Sequence, residues 1–317
     1  MEQESAEKQN KENQNKEKQH KENQNNEKQN SRKKTGLVLE GGGMRGIYTA
    51  GVLDVFMEHG IRFDGVIGVS AGAIHGCSYV SGQKGRNLRY YKKYCQDKRF
   101  MSFRNWLLTG DFVGIDFCYH QLPEKLDLYD YDAFNNSGME FYVGCSDLET
   151  GKAIYPRLTD MKEQIDYLRA SSSLPYVSKT VEIDGRKLLD GGCTDSIPVM
   201  AFHRMGFQRQ VVVLTRHHGY VKEPERTWMA GIWYRQYPKF VKALKTRHLV
   251  YNRNVKKIEA LEKAGKLFVI RPSEPLTISR TSSDPKELQQ VYEIGRRNAL
   301  EQLDAMKKWL SFEEMML

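Results

Sequence analysis

Only five of the 317 residues are cysteine, at positions 77, 95, 118, 145 and 193, and none forms a CxxC pair. An odd number at such spacings excludes a disulfide framework and a structural zinc site, and leaves reduced thiols as the expectation. Proline is scarce at nine residues, which excludes a collagen-like or proline-rich chain. No apolar run approaches the roughly 18 residues that span a bilayer, the longest being stretches such as 211–214. The Asp-x-Asp-x-Asp-Gly type of calcium loop is missing as well, so no metal and no cofactor are expected. Residues 1–34 hold almost no apolar side chains and lack the hydrophobic segment of a secretory signal, so a cytoplasmic location is expected.

What is present suits a globular protein. The chain is 39% hydrophobic and 28% charged, enough for a sizeable core. Residues 1–34 repeat a Lys, Glu, Gln and Asn theme, with Lys11-Glu12-Asn13-Gln14-Asn15 returning at 21–25. Such a composition cannot bury enough surface to offset its ordering entropy, so 1–34 is read as a disordered polar tail and 35–317 as one folded domain. Within the tail nine basic residues nearly balance seven Glu, so most of the net charge of +9 falls on the folded part, where it favours anionic partners.

From Thr35 the character changes. Residues 36–39 read as a short buried strand running into Gly41-Gly42-Gly43-Met44-Arg45-Gly46, followed by a helix over 47–59 that closes at Gly60. Residues 65–69 read as a second strand, leading into a helix opened by small residues at 70–75. That βαβα order implies a mainly parallel sheet with helices on both faces. Further strands are expected at 140–145, 180–189, 210–214 and 266–270. Asp184-Gly185 lies between two apolar runs as a two-residue hairpin turn that delivers Asp190 to a strand end. Pro198 and Asp284-Pro285 mark helix starts.

Gly68-Val69-Ser70-Ala71-Gly72 is a GxSxG motif between a strand and a helix. Flanking glycines allow the sharp turn that exposes a serine hydroxyl at a helix N-terminus, where developing negative charge is stabilised. The alternative is a serine that merely caps the helix. Gly41 to Gly46 formally match GxGxxG, but a dinucleotide site needs an acidic residue at the end of its second strand, whereas Asp64 precedes that strand and Ser70 ends it. Consecutive glycines instead offer backbone N–H groups to an oxyanion, with Arg45 adding positive potential. No GK[ST] follows, which excludes a P-loop. A nucleophilic serine needs a base. His75 and His203 fall in helices, and His217 and His218 remain the candidate triad histidines. Asp190-Gly191-Gly192 offers a carboxylate that could take the serine proton directly if partly desolvated, or it is simply a tight turn.

Taken together, in this order and spacing, the three glycine-rich elements resemble those of the patatin-like phospholipases. The resemblance covers about 35–310, including Phe268-Val269-Ile270-Arg271-Pro272-Ser273, which looks like bacterial members. It implies an α/β class chain with a three-layer α/β/α fold and a mainly parallel central sheet. It also implies a Ser-Asp dyad of Ser70 and Asp190 and an oxyanion loop of Gly41, Gly42, Gly43 and Arg45, supported by Gly46, Gly68, Gly72, Gly191 and Gly192. Two departures stand out: Glu40 where many members carry Asp, and Ser196 where many carry Asn. The implied activity is hydrolysis of phospholipid or lysophospholipid esters through an acyl-enzyme. A general esterase or neutral lipase, and a catalytically decayed membrane-surface module, are the alternatives.

Residues 222–257 interleave basic side chains with Trp228, Trp233, Tyr234, Tyr237, Phe240 and Tyr251. One reading is a peripheral contact with an anionic membrane surface, at the inner face; the other is a packing helix with a solvated basic face. Nothing identifies a nucleic-acid module, and none is expected as a partner. Residues 87–106 and Ser171-Ser172-Ser173-Leu174-Pro175 are expected to wall the site.

Overall fold

The computed structural model describes residues 33–311, so the tail expected at 1–34 lies almost wholly outside the described residues. The chain order begins with β1 (Thr35–Leu39), a 3-10 turn (Gly43–Gly46), α1 (Ile47–Glu58), β2 (Gly65–Val69), α2 (Ala71–Val80), α3 (Arg86–Tyr94), α4 (Phe103–Thr109), a π-helical stretch (Phe117–Leu126) and α5 (Tyr131–Asn135). It continues with β3 (Glu140–Asp147), β4 (Lys152–Ile154), β5 (Arg157–Leu158), α6 (Ile165–Ser172), β6 (Val181–Ile183), β7 (Arg186–Asp190) and α7 (Val199–Arg204). β8 (Arg209–Val213), one helical turn (Ala230–Trp233), α8 (Pro238–Lys263), β9 (Leu267–Ile270) and α9 (Pro285–Ser311) complete it.

Strand pairing follows the path β6-β7-β3-β2-β1-β8-β9, with β4 and β5 also paired to β3. The run from β3 to β9 is parallel, while β4 to β7 are antiparallel to their neighbours. Side chains of successive strand residues point to opposite faces, and this alternation makes the three layers. Leu37, Leu39, Val66, Val211 and Val213 pack on one face with α1, α3 and α9. Val38, Ile67 and Val212 pack on the other with Phe202 of α7 and Tyr251 and Ile258 of α8. The architecture is therefore mixed α/β, a mostly parallel central sheet flanked by helices.

Two glycines let the largest helix pair approach. A Cβ on Gly51 would lie 2.1 Å from the Tyr292 carbonyl oxygen, and one on Gly295 would lie 2.1 Å from that of Tyr48. Helix starts follow the capping chemistry of the sequence: Ser102 accepts from Asn105 N–H ahead of α4, Asp284 from Lys286 N–H at the start of α9, and Pro238 opens α8.

The strands expected from local patterning are present, each within a few residues at its ends. β4 and β5 were not foreseen, because strands of three and two residues carry too little pattern to read. All five cysteines are free.

β3 explains how the site is assembled. β4 and β5 run along one of its edges in a single register, Cys145 facing Ile154 and Phe141 facing Leu158. β2 and β7 therefore share the other edge, β2 ending at Val69 opposite Gly144 and β7 ending at Asp190 opposite Cys145. One strand is parallel to β3 and the other antiparallel, so their carboxyl ends meet head on.

Candidate active site

Ser70 occupies the junction that follows β2, with φ 54° and ψ −125°. This backbone is unfavourable for a side-chain-bearing residue and persists only where its surroundings enforce it. Gly72 admits the turn: a Cβ there would lie 2.4 Å from the Leu39 carbonyl oxygen. Gly68 is equally crowded, against the backbone of Ala73. The Ser70 N–H donates to Ser171 Oγ at 2.8 Å, and Ser171 Oγ donates to the Gly144 carbonyl at 2.6 Å. These bonds tie the turn to α6 and β3.

Ser70 Oγ donates to Asp190 Oδ2 at 2.7 Å. Asp190 Oδ1 accepts from Gly192 N–H at 2.7 Å, and the Asp190 main chain is pinned by Ser173 O and Ser146 Oγ. Gly191 allows the contact, since a Cβ there would lie 2.2 Å from the Gly144 carbonyl oxygen. Burial pushes the Asp190 carboxyl above its usual range; the Ser70 hydroxyl, Arg247 and the Gly192 N–H oppose that rise.

The glycine loop faces this pair. A Cβ on Gly41 would lie 2.8 Å from the Val69 carbonyl oxygen and 3.0 Å from Ser70 Cβ, so the loop lies directly on the turn. Gly41, Gly42 and Gly43 line the same pocket as Ser70 and Asp190, and among the described residues their N–H groups have no acceptor. Gly46 packs on Ala71 and His75. Arg45 is buried at 7% exposure with Nε unpartnered, and burial, reinforced by Arg216, pulls its guanidinium down to about 10. Glu40, in the position noted as a departure, accepts from Thr215 N–H at 2.6 Å and from Tyr251 O–H at 2.8 Å. Burial raises its carboxyl. Ser196 donates to the Gly192 carbonyl at 3.0 Å and so braces the loop behind Asp190.

Away from these polar groups the pocket becomes apolar, between Ile74 of α2, Tyr90 and Tyr91 of α3, Phe100, and Tyr119 and Leu122 of the π-helical stretch. Leu174 and Ser172 form a further wall. Both segments expected to enclose the site thus contribute to it, although Trp106 of the first points elsewhere, donating to the Tyr176 carbonyl.

The candidate histidines are not partners of Ser70. His75 is fully buried, with neither ring nitrogen hydrogen-bonded, and burial lowers it to about 4, which keeps it neutral. His217 packs on Tyr220, and His218 is exposed, 3.6 Å from Glu259. Sequence reasoning missed the roles of Ser171, Thr215, Arg216 and Arg280. No local pattern announces them, because each reaches the site from a segment distant in sequence, Ser171 from the end of α6, Thr215 and Arg216 from the loop after β8 and Arg280 from the loop before α9. In 222–257 the interleaving dissolves: Tyr234, Tyr237, Phe240 and Tyr251 are core residues, and Trp228 and Trp233 are exposed. Among the described residues no helix is long and apolar enough to cross a membrane, and no acidic, histidine or cysteine cluster is arranged to hold a metal.

A family model described as Patatin-like phospholipase matches residues 37–203, and one described as a domain of unknown function (DUF6363) matches residues 237–311. The chain is similar to the uncharacterized protein YjjU of Escherichia coli, 30% identical over 279 residues that cover 82% of this chain and 74% of that protein. It is also similar to lysophospholipase NTE1 of Eremothecium gossypii, 29% identical over 184 residues that cover 54% of this chain and 11% of the relative. This chain thus spans about a tenth of that much longer protein. Among solved structures, VipD from Legionella pneumophila aligns with a TM-score of 0.44 at 15% identity, over 86% of this chain and 67% of that one.

Proposed function

The chain belongs to the patatin-like phospholipase family of lipid acyl hydrolases, and we propose that it cleaves carboxylic esters of phospholipids or lysophospholipids through a Ser70–Asp190 dyad. The observation that carries the reading is the 2.7 Å hydrogen bond from Ser70 Oγ to Asp190 Oδ2, at the polar end of an apolar pocket.

In the proposed reaction Ser70 Oγ attacks the ester carbonyl carbon while its proton passes to Asp190. The tetrahedral oxyanion is held by N–H groups of the glycine loop and by the N-terminus of α2, which supply preorganised positive potential where charge develops. Collapse expels the alcohol, which takes the proton from Asp190, and leaves an acyl-serine. A water then gives its proton to Asp190 and attacks that ester; the fatty acid leaves and the proton returns to Ser70. The raised carboxyl of Asp190 suits both directions of transfer, because a base is most effective when its pKa approaches the working pH. The fatty acyl chain would lie in the apolar arm.

Peripheral contact with an anionic membrane surface belongs to the same proposal, as does a cytoplasmic location at the inner face of the membrane. Its support is the exposure of large apolar side chains, Trp228, Ile232 and Trp233 beside the basic α8, and Phe103, Leu107 and Leu108 on α4. Flotation with anionic vesicles tests it, and protein remaining at the bottom of the gradient sinks it.

The experiment for the activity compares wild type, Ser70→Ala and Asp190→Asn for fluorophosphonate labelling and for fatty acid release from a phospholipid panel, with chelator present. Labelling and turnover should vanish in Ser70→Ala, and turnover should fall by about 10⁴ in Asp190→Asn, the scale seen when an analogous carboxylate is neutralised. Full turnover in Asp190→Asn would move the base elsewhere. A silent wild type would leave a surface-binding module.

A further inference from the structure

Five cationic side chains line the polar end of the Ser70 pocket: Arg45, Arg216, Lys222, Arg247 and Arg280. Glu225 pairs with three of them, at 2.9 Å from Lys222, 3.2 Å from Arg247 and 3.6 Å from Arg280. Burial would raise Glu225, but Arg247, Lys222 and Arg280 outweigh it and hold the carboxyl at about 2. Among the described residues Arg45 and Arg216 have no carboxylate at salt-bridge distance. Arg216 instead stacks on Tyr220, its guanidinium 4.2 Å from the ring centre.

The remaining carboxyls at this end are Asp190 and Glu40, so even with Glu225 counted three carboxyls face five cations and the positive charge is in excess. Lys222 is lowered, first by its own burial and then by Arg247. Like charges gathered in a poorly solvated cleft repel one another, and they are stabilised when an anion enters. Guanidinium forks match the oxygens of a phosphate. Arg280 also lies against the glycine loop, its carbonyl accepting from Met44 N–H at 3.2 Å, so this cluster and the proposed oxyanion site are neighbours.

We propose that Arg216, Lys222 and Arg280 form a subsite for the headgroup phosphate of the lipid, and that the enzyme selects esters whose headgroup carries net negative charge. This rests on the hydrolase reading of Ser70 and Asp190 and adds the direction in which the substrate lies: acyl chain in the apolar arm, phosphate among the cations. A glycerophospholipid has that layout, since its short glycerol backbone joins the acyl ester to the phosphate. A choline headgroup would bring an ammonium towards Arg216 and Arg280, whereas a glycerol headgroup brings none.

The test uses the full chain with phosphatidylglycerol and phosphatidylcholine of the same acyl chains in mixed micelles, and a soluble neutral p-nitrophenyl ester. Wild type should favour phosphatidylglycerol by about tenfold or more in kcat/KM, the effect of one well-placed charge. In Arg216→Gln and Arg280→Gln the ratio of phosphatidylglycerol to p-nitrophenyl ester hydrolysis should fall by about as much, chiefly through KM. Equal hydrolysis of the two phospholipids by wild type, or an equal loss on all three substrates in the variants, overturns the subsite.

Equilibrium binding to Ser70→Ala reads the subsite without turnover. A preference for short-chain phosphatidylglycerol over phosphatidylcholine there supports the subsite even if no ester is cleaved, in which case only the hydrolase reading fails. Saturable binding of inorganic phosphate with no preference between the lipids overturns the lipid assignment in favour of a free anion.

Discussion

The backbone N–H of Ser70 is held by the side chain of Ser171, 101 positions later in the chain, at 2.8 Å. Ser171 passes the constraint on by donating to the Gly144 carbonyl of β3 at 2.6 Å. A buried hydroxyl thus couples the strained turn to the strand against which Asp190 is also aligned. Ser171→Ala leaves one buried donor and one buried acceptor without partners, which costs about 1–3 kcal/mol. We expect a lower melting temperature and a kcat reduced about tenfold or more with KM little changed, because Ser171 positions Ser70 and does not touch the acyl chain. A purely structural role would lower stability and leave kcat per folded molecule intact.

Asp190 should trade stability for function. Its carboxyl is raised in the fold, so between the ordinary carboxylate value of about 3.9 and the raised one the native state binds more protons than the unfolded state. Stability from this group is therefore fully present below pH about 3.9 and is lost as pH rises through the folded pKa. Asp190→Asn removes the buried charge. It should melt higher than wild type at pH 7 and lose that advantage at acid pH, as read by thermal denaturation across pH; no difference at pH 7 would count against a raised Asp190.

The pH dependence of hydrolysis follows from the same group. Asp190 must be ionised to accept the Ser70 proton, so kcat/KM on a soluble ester should fall on the acid side with an apparent pKa above the ordinary carboxylate value. Arg247 opposes the rise in Asp190, and its Nε donates to the Gly192 carbonyl at 2.6 Å. Arg247→Gln should move the acid limb to higher pH. A limb that stays in place would assign it to another group.

Glu40 should be a support of the glycine loop. Its oxygens accept from Thr215 N–H, Thr215 Oγ1 and Tyr251 O–H, all of them buried or nearly so. Glu40→Ala strands these donors and should destabilise by about 2–4 kcal/mol, seen in the urea midpoint. Glu40→Gln keeps an acceptor and removes a buried acid, and should melt close to wild type. Comparable losses in both variants would show that the charge itself is required.

The crossing of α1 with α9 offers a test of the fold alone. Gly295→Ala would drive a methyl group into the Tyr48 carbonyl, with no flexible side chain to yield. We expect a loss of about 2 kcal/mol or more from the forced separation of the helices. Tyr48, Gly51 and Gly295 do not line the Ser70 pocket, so hydrolysis per folded molecule should change little even though α1 follows the glycine loop.

Much of the site was legible locally because its parts are local devices. The strand, glycine turn and small-residue helix around Ser70 are written in consecutive residues, as are the Gly41 to Gly46 loop and the Asp184-Gly185 hairpin that ends at Asp190. Tight turns restrict residue type so strongly that glycine spacing carries the information. The short apolar strands alternating with helices in βαβα order likewise announced a sheet covered on both faces.

Tertiary structure decided what meets what. That β2 and β7 share one edge of β3 and abut at Gly144 and Cys145 follows from two long-range pairings, Val69 with Gly144 and Cys145 with Asp190, which no local period encodes. The gathering of Arg45, Arg216, Lys222, Arg247 and Arg280 has the same origin, because a charge on a loop or helix carries no mark of the surface it will face. The aromatic residues of 222–257 divide between core and surface for a related reason: a tyrosine or phenylalanine is buried when another element covers it, and only the packed fold supplies that cover.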